Sequence, residues 1–256
     1  MIVRSALVCG GLAATVFLSA CSRATVDVRA SQGAGDPSPL IDPAAIVAGG
    51  PPPDGIPPID RPRFVAPSAV DFLDPREPVL ALEVGGDTRA YPLQIMIWHE
   101  IVNDVVGAMP VVVTYCPLCN TGIAFERPRL GGRLLDFGTS GKLYRSNLLM
   151  YDRQTKSLWA QATGHAVVGD LTGTQLRFLP VQLVAWSDWR AANPRGKVLS
   201  RRTGYDRPYG ENPYVGYDDE RSSPFLFEGD LDPRLPPLAR VVGVRIDGET
   251  MAFPYR

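Results

Sequence analysis

Histidine and cysteine are scarce in this sequence, with two and four residues among 256. That scarcity confines metal-ligating and thiol chemistry to a handful of positions. Charge of one sign is missing as well. With 26 basic and 27 acidic residues the net charge is −1, so no global field draws the chain to nucleic acid or to an anionic bilayer. Glycine-rich phosphate loops, H-E-x-x-H, G-x-S-x-G and EF-hand loops are all lacking. The glycines follow no three-residue period, which excludes collagen, and an apolar fraction of 45% excludes full disorder.

Glycine and proline are abundant, 25 of each. Both punctuate turns and spacers, which predicts a mainly β (α+β) chain: an antiparallel, β-rich single domain with a few short helices. Their placement divides the chain. Arg4 precedes an uncharged apolar run from Ala6 to Leu18, and Leu18-Ser19-Ala20-Cys21 resembles the lipobox of bacterial lipoproteins. This layout predicts a signal peptide over residues 1–20 and lipidation of Cys21. The acyl chains would hold the protein at the membrane of the cell envelope, on its periplasmic face, and Ser22 favours the outer membrane. Ten prolines fall between Asp36 and Pro67, so residues 21–67 read as the lipidated cysteine and a proline-rich tether.

Residues 71–256 read as the β-rich globular domain. Val79–Val84, Gly85-Gly86 and Asp87–Tyr91 form a hairpin pattern, and Val111–Tyr115 is a β-branched strand running into Cys116-Pro117-Leu118-Cys119. Leu93–Val102 and Trp186–Ala192 read as helices. Ile123–Glu126, Leu134–Phe137, Leu148–Tyr151 and Leu176–Leu179 read as further strands. Val79–Pro92 aligns without gaps to Val241–Pro254, a half-repeat at the carboxyl end. Either a second copy begins there, or the last hairpin completes the sheet of the first.

With Cys9 in the signal and Cys21 lipidated, two thiols remain, Cys116 and Cys119. Three readings of this C-x-x-C stay open. It is a metal half-site for copper or zinc, completed by His99 or by Glu100, Met150 or His165. It is a dithiol–disulfide couple exchanging electrons with an envelope protein partner. Or it is a structural disulfide in a non-catalytic scaffold, closing so small a loop that it constrains the unfolded chain little. A strand leading into C-P-x-C resembles glutaredoxin, but Asn120–Phe125 reads as a turn and a strand, whereas the thioredoxin fold needs a helix there. Trp98-His99-Glu100 with Asn103-Asp104 is a dense polar cluster. Trp98, Asp104, Tyr115, Trp159 and Gln161 are candidates for the wall of a pocket, with core and edge positions the plainer role for the last two.

Four stretches, Tyr91–Asp104, Val111–Arg127, Phe137–Leu176 and Trp186–Ser200, together resemble the family catalogued as domain of unknown function 3179. Trp98-His99-Glu100 and both cysteines belong to the pattern that carries the resemblance, and the family more often has another polar residue in place of His165. The resemblance implies no activity. The residues themselves point first to an envelope lipoprotein that binds copper or zinc through Cys116, Cys119 and His99, and second to a dithiol oxidoreductase or electron-transfer protein.

Overall fold

In the computed structural model of the chain, the described residues are 26–28, 37–247 and 249–255. The expected signal peptide, Cys9 and Cys21 lie outside them. β1 (Pro78–Val84) and β2 (Asp87–Pro92) form the predicted hairpin, with both turn glycines at positive φ. α1 (Leu93–His99) is shorter than the sequence pattern predicts. It stops at Glu100, whose φ of 59° turns the chain, so that Ile101 and Val102 enter a strand. β3 (Ile101–Val106), β4 (Met109–Cys116) and β5 (Thr121–Glu126) then run as an antiparallel meander.

β6 (Phe137–Tyr144), β7 (Asn147–Asp152), β8 (Leu158–Ala160) and β9 (Ala166–Val168) form a second meander. β10 (Val181–Ala185) returns antiparallel to β1, α2 (Trp186–Ala192) follows, and β11 (Lys197–Leu199) lies parallel to β2. No helix or strand falls between residue 200 and β12 (Val241–Ile246), which pairs with β13 (Glu249–Pro254). The antiparallel, β-rich architecture, with two short α-helices among the described residues, is the one the sequence predicts.

The β3–β4–β5 sheet lies between two cores. Along β4, Val111, Val113 and Tyr115 point into a core with Leu80, Leu82, Tyr91, Ile95 and Met96 from the first hairpin and α1. Val112 and Cys116 point the other way, into a core with Phe137, Leu148, Met150 and Trp159. A strand buried on both faces carries an unbroken apolar run, which explains the Val-Val-Val sequence of β4. Two-residue spacing of the side chains thus fixes that Tyr115 and Cys116 face opposite cores.

The proline-rich stretch corrects an expectation. Within the segment read as a tether over 21–67, residues 37–67 belong to the domain. Ile46–Ala48 pairs with β6, Phe64–Val65 pairs with β11, and Ile59 is fully buried against Val102. Prolines serve here as the first residues of short 3₁₀ turns, at Pro43 and Pro67, where a missing N–H is harmless. The fit is close: a Cβ on Gly141, in the bulge of β6, would overlap the carbonyl oxygen of Pro51.

Candidate functional site

The Cys116–Asn120 segment is the turn joining the two central strands β4 and β5. Cys116 pairs with Thr121 across the ladder, Pro117–Cys119 makes one 3₁₀ turn, and Asn120 takes the left-handed conformation that closes it. Strand β5 follows directly, so no helix begins at the first cysteine. The turn presents two unlike thiols. Both are free; Cys116 is buried in the second core and Cys119 is exposed.

Their environments pull their acidities apart. Burial pushes the Cys116 thiol well up, helped by the hydrogen bond it shares with Cys119 and by the neighbouring Glu100. Its sulfur sits 3.8 Å from the Ser146 carbonyl oxygen. The Cys119 thiol is brought down to about 7, first by the hydrogen bond from Cys116 and then by the Asn147 amide and Thr121. Asn147 Nδ2 donates to Cys119 Sγ at 3.1 Å. Glu100 lies within electrostatic reach of the pair. It is buried at the carboxyl end of α1, and burial together with the Cys119 sulfur pushes its carboxyl up to about 8.

The remaining sequence candidates separate from this cluster. His99 is fully buried, with Nδ1 2.6 Å from the Pro57 carbonyl and Nε2 2.6 Å from the Tyr209 hydroxyl. Both ring nitrogens are therefore occupied by the protein, and burial lowers the imidazole's pKa. Met150 is packed in the second core, and His165 sits in an isolated bridge with Gln175. Among the described residues no three His, Cys, Asp or Glu side chains gather as a metal-binding group. The expected joining of His99 to the cysteine pair is not what the fold produces, because α1 aims its last residue at the 57 and 209 segments.

Asp104 belongs to a buried ion-pair network instead of a pocket wall, accepting Arg89 Nη1 at 2.6 Å and the Tyr91 hydroxyl at 2.7 Å. Trp159 is core, stacked edge-on to Phe137, with its indole N–H on Asp152 at 3.0 Å. Trp98 is half-buried and its indole Nε1 meets no acceptor. Tyr115 is buried beside Cys116, and its hydroxyl donates to Asn120 at 2.9 Å, bracing the turn. Gln161 does reach the site: its Oε1 accepts from Asn147 at 2.8 Å.

Several residues at the site carry no motif. Asn147 follows Arg145 and Ser146, two non-glycine residues at positive φ in the β6–β7 turn. A two-residue hairpin link without glycine is strained; the backbone shows this, and the sequence by itself gives no signal for Arg145-Ser146-Asn147. Tyr214 and Tyr217 come from the irregular 200–240 segment. Burial raises the Tyr214 hydroxyl, as do Glu100 and Cys116 beside it, and Ser146 Oγ donates to the Leu226 carbonyl at 2.9 Å. That segment therefore folds back against the cysteine turn.

The model for a family described as protein of unknown function (DUF3179) matches residues 53–256. The chain belongs to this family. The match begins inside the proline-rich stretch, in agreement with the packing of residues 53–67 into the DUF3179 domain. No curated protein and no solved structure matches the chain.

Proposed function

We propose that this DUF3179 protein carries out thiol–disulfide exchange, with Cys119 as the attacking thiol and Cys116 as the resolving one. The asymmetry of the pair carries the reading: Cys119 is exposed and titrates at about 7, while Cys116 is buried with its thiol pushed up. An attacking thiol is most effective when its pKa lies near ambient pH, and it must be reachable. A structural thiol pair has no need of either property.

In the reducing direction, the Cys119 thiolate bonds to one sulfur of a partner disulfide. The second partner sulfur leaves as a thiolate and takes up a proton. Cys116 then gives up its proton and bonds to the Cys119 sulfur, and the partner's first sulfur leaves and is protonated. The cysteine pair has lost two electrons and two protons, and the partner disulfide has gained them. Glu100, buried nearby with its carboxyl pushed up, adds to the field that keeps Cys116 protonated until the mixed disulfide has formed. The lipobox-like Leu18–Cys21 supports a lipid-anchored position on the periplasmic face of the envelope, an oxidising setting that holds disulfide partners.

Copper or zinc capture by the same two thiols is the competing reading, and it needs ligands from beyond the cysteine turn. Equilibrating the full chain in glutathione buffers, with mass mapping and metal analysis, separates the two. Exchange predicts interconversion between two thiols and a Cys116–Cys119 disulfide. It also predicts that Cys116→Ser accumulates a mixed disulfide at Cys119, whereas Cys119→Ser leaves Cys116 unreactive. Thiols that stay reduced at every glutathione ratio, with a stoichiometric metal bound, overturn it.

A further inference from the structure

Beside the cysteine turn runs a chain of amides that nothing in the exchange chemistry above requires. Gln161, fully buried just past β8, donates from Nε2 to Thr114 Oγ1 at 3.1 Å and to the Thr121 carbonyl at 2.9 Å. Thr114 Oγ1 spends its own proton on the Ile123 carbonyl at 2.8 Å, so it is free to accept from Gln161. The Gln161 amide therefore has one possible orientation, with Oε1 turned outward to Asn147 Nδ2 at 2.8 Å. Asn147 is fixed from its other side too: the Ala162 backbone N–H donates to its Oδ1 at 2.9 Å. An N–H cannot face an amide nitrogen, so the Asn147 side chain cannot be flipped. One Asn147 N–H serves Gln161, and the other is left to point at Cys119 Sγ, 3.1 Å away.

From this geometry we infer that Asn147 is a site residue that holds and orients the Cys119 sulfur for attack, and that Gln161 is the positioning residue that aims Asn147. The inference rests on the exchange reading and deepens it. The relay ties together β4 through Thr114, β5 through Thr121, and the first residue of β7, which are the elements that meet at the cysteine turn. The strained Arg145-Ser146 link serves both thiols, since it sets the Ser146 carbonyl on Cys116 and the Asn147 amide on Cys119. A preset N–H donor aimed at a sulfur favours the anion without any reorganisation at the moment of reaction.

The test is the pH dependence of alkylation of Cys119 by iodoacetamide, mapped by mass spectrometry on the full chain and its variants. Asn147→Ala should raise the midpoint by about one to two units, the worth of one hydrogen bond to a charged group. At pH 7 that lowers the fraction of Cys119 present as thiolate at least about fivefold. Asn147→Asp keeps the shape and the acceptor for Ala162, but sets an anion against the sulfur; it should raise the midpoint further than alanine does. Because it is isosteric, it also keeps the test open if Asn147→Ala does not fold. Gln161→Ala frees the Asn147 amide and should give a smaller rise. A purely structural role predicts equal midpoints in every folded variant, and that result overturns the inference. Midpoints that move as stated in a protein that never forms the Cys116–Cys119 disulfide would support the relay and reject the exchange reading. A working disulfide cycle with unmoved midpoints would do the reverse.

Discussion

The chain builds the same hairpin twice and treats the two copies differently. In the first, Val79 pairs with Pro92 and the register runs to Val84 opposite Asp87. In the second, Val241 pairs with Pro254 and the register runs to Ile246 opposite Glu249, the same ladder residue for residue. The first hairpin is the centre of a five-stranded sheet, flanked by β10 and β11 and buried on both faces. The second pairs only with itself among the described residues, so it does not complete the first copy's sheet. Leu80 is 1% exposed, whereas its counterpart Val242 is 45% exposed. Hairpin register is a local property of turn and alternation; burial, and the chemistry that goes with it, is supplied by neighbours.

The buried polar residues carry the sharpest difference. Arg89 in β2 is held by Asp87 and Asp104, and its counterpart in β13 is Met251. Replacing Arg89 by that methionine should be the most damaging exchange between the copies. It strands the buried Asp104 carboxylate without its cation, which is expected to cost about 3–5 kcal/mol in denaturant unfolding. Next comes a matched pair. Leu80→Ala opens a cavity against Gly122 and should cost about 2–5 kcal/mol, while Val242→Ala should stay within about 0.5 kcal/mol. Equal losses at the two sites would show that the second hairpin is covered in solution.

The smallest effect is one of pH. Burial works to raise the Asp87 carboxyl, but hydrogen bonds from Arg89, Lys197 and the Gly107 N–H, with the Arg89 charge, hold it down to about 2. A carboxyl depressed in the fold stabilises it above its unfolded pKa of about 4, and that contribution is lost as pH falls toward 2. Asp87→Asn should accordingly flatten the stability profile between about pH 4 and pH 2, measured by thermal unfolding at each pH.

Much of the fold is legible in the sequence. Alternation and glycine turns identify β1, β2 and the repeated hairpin, and a β-branched run identifies β4, because these signals lie within a few residues of each other. Leu93–Val102 reads as helical to its end, yet the helix stops at His99, since the break at Glu100 is a positive φ in a residue that has no local reason to adopt it. Phe137–Tyr144 is a strand despite its glycines, for the bulge at Gly141 is set by the approach of Pro51, far away in sequence. At the candidate site, the two cysteines stand out in the sequence, whereas Gln161 reads there only as a pocket-wall candidate or an edge position. The scarcity of histidine and the polar cluster around Trp98-His99-Glu100 point to His99 as a partner of the cysteines, yet the end of α1 sends His99 and Glu100 to different surroundings.

The sequence by itself determined the β-rich class, the hairpin registers and the C-x-x-C pattern, because each depends on spacing along the chain. The tertiary structure decided which cysteine is buried, which is exposed, and which groups meet them. Cys116 and Cys119 are three residues apart in one short turn, and nothing in that spacing makes them unequal. One sulfur is sealed by a core gathered from residues 28 to 176, and the other is met by an amide from β7. Desolvation and hydrogen bonding depend on what stands within a few ångströms, and only folding brings those neighbours there.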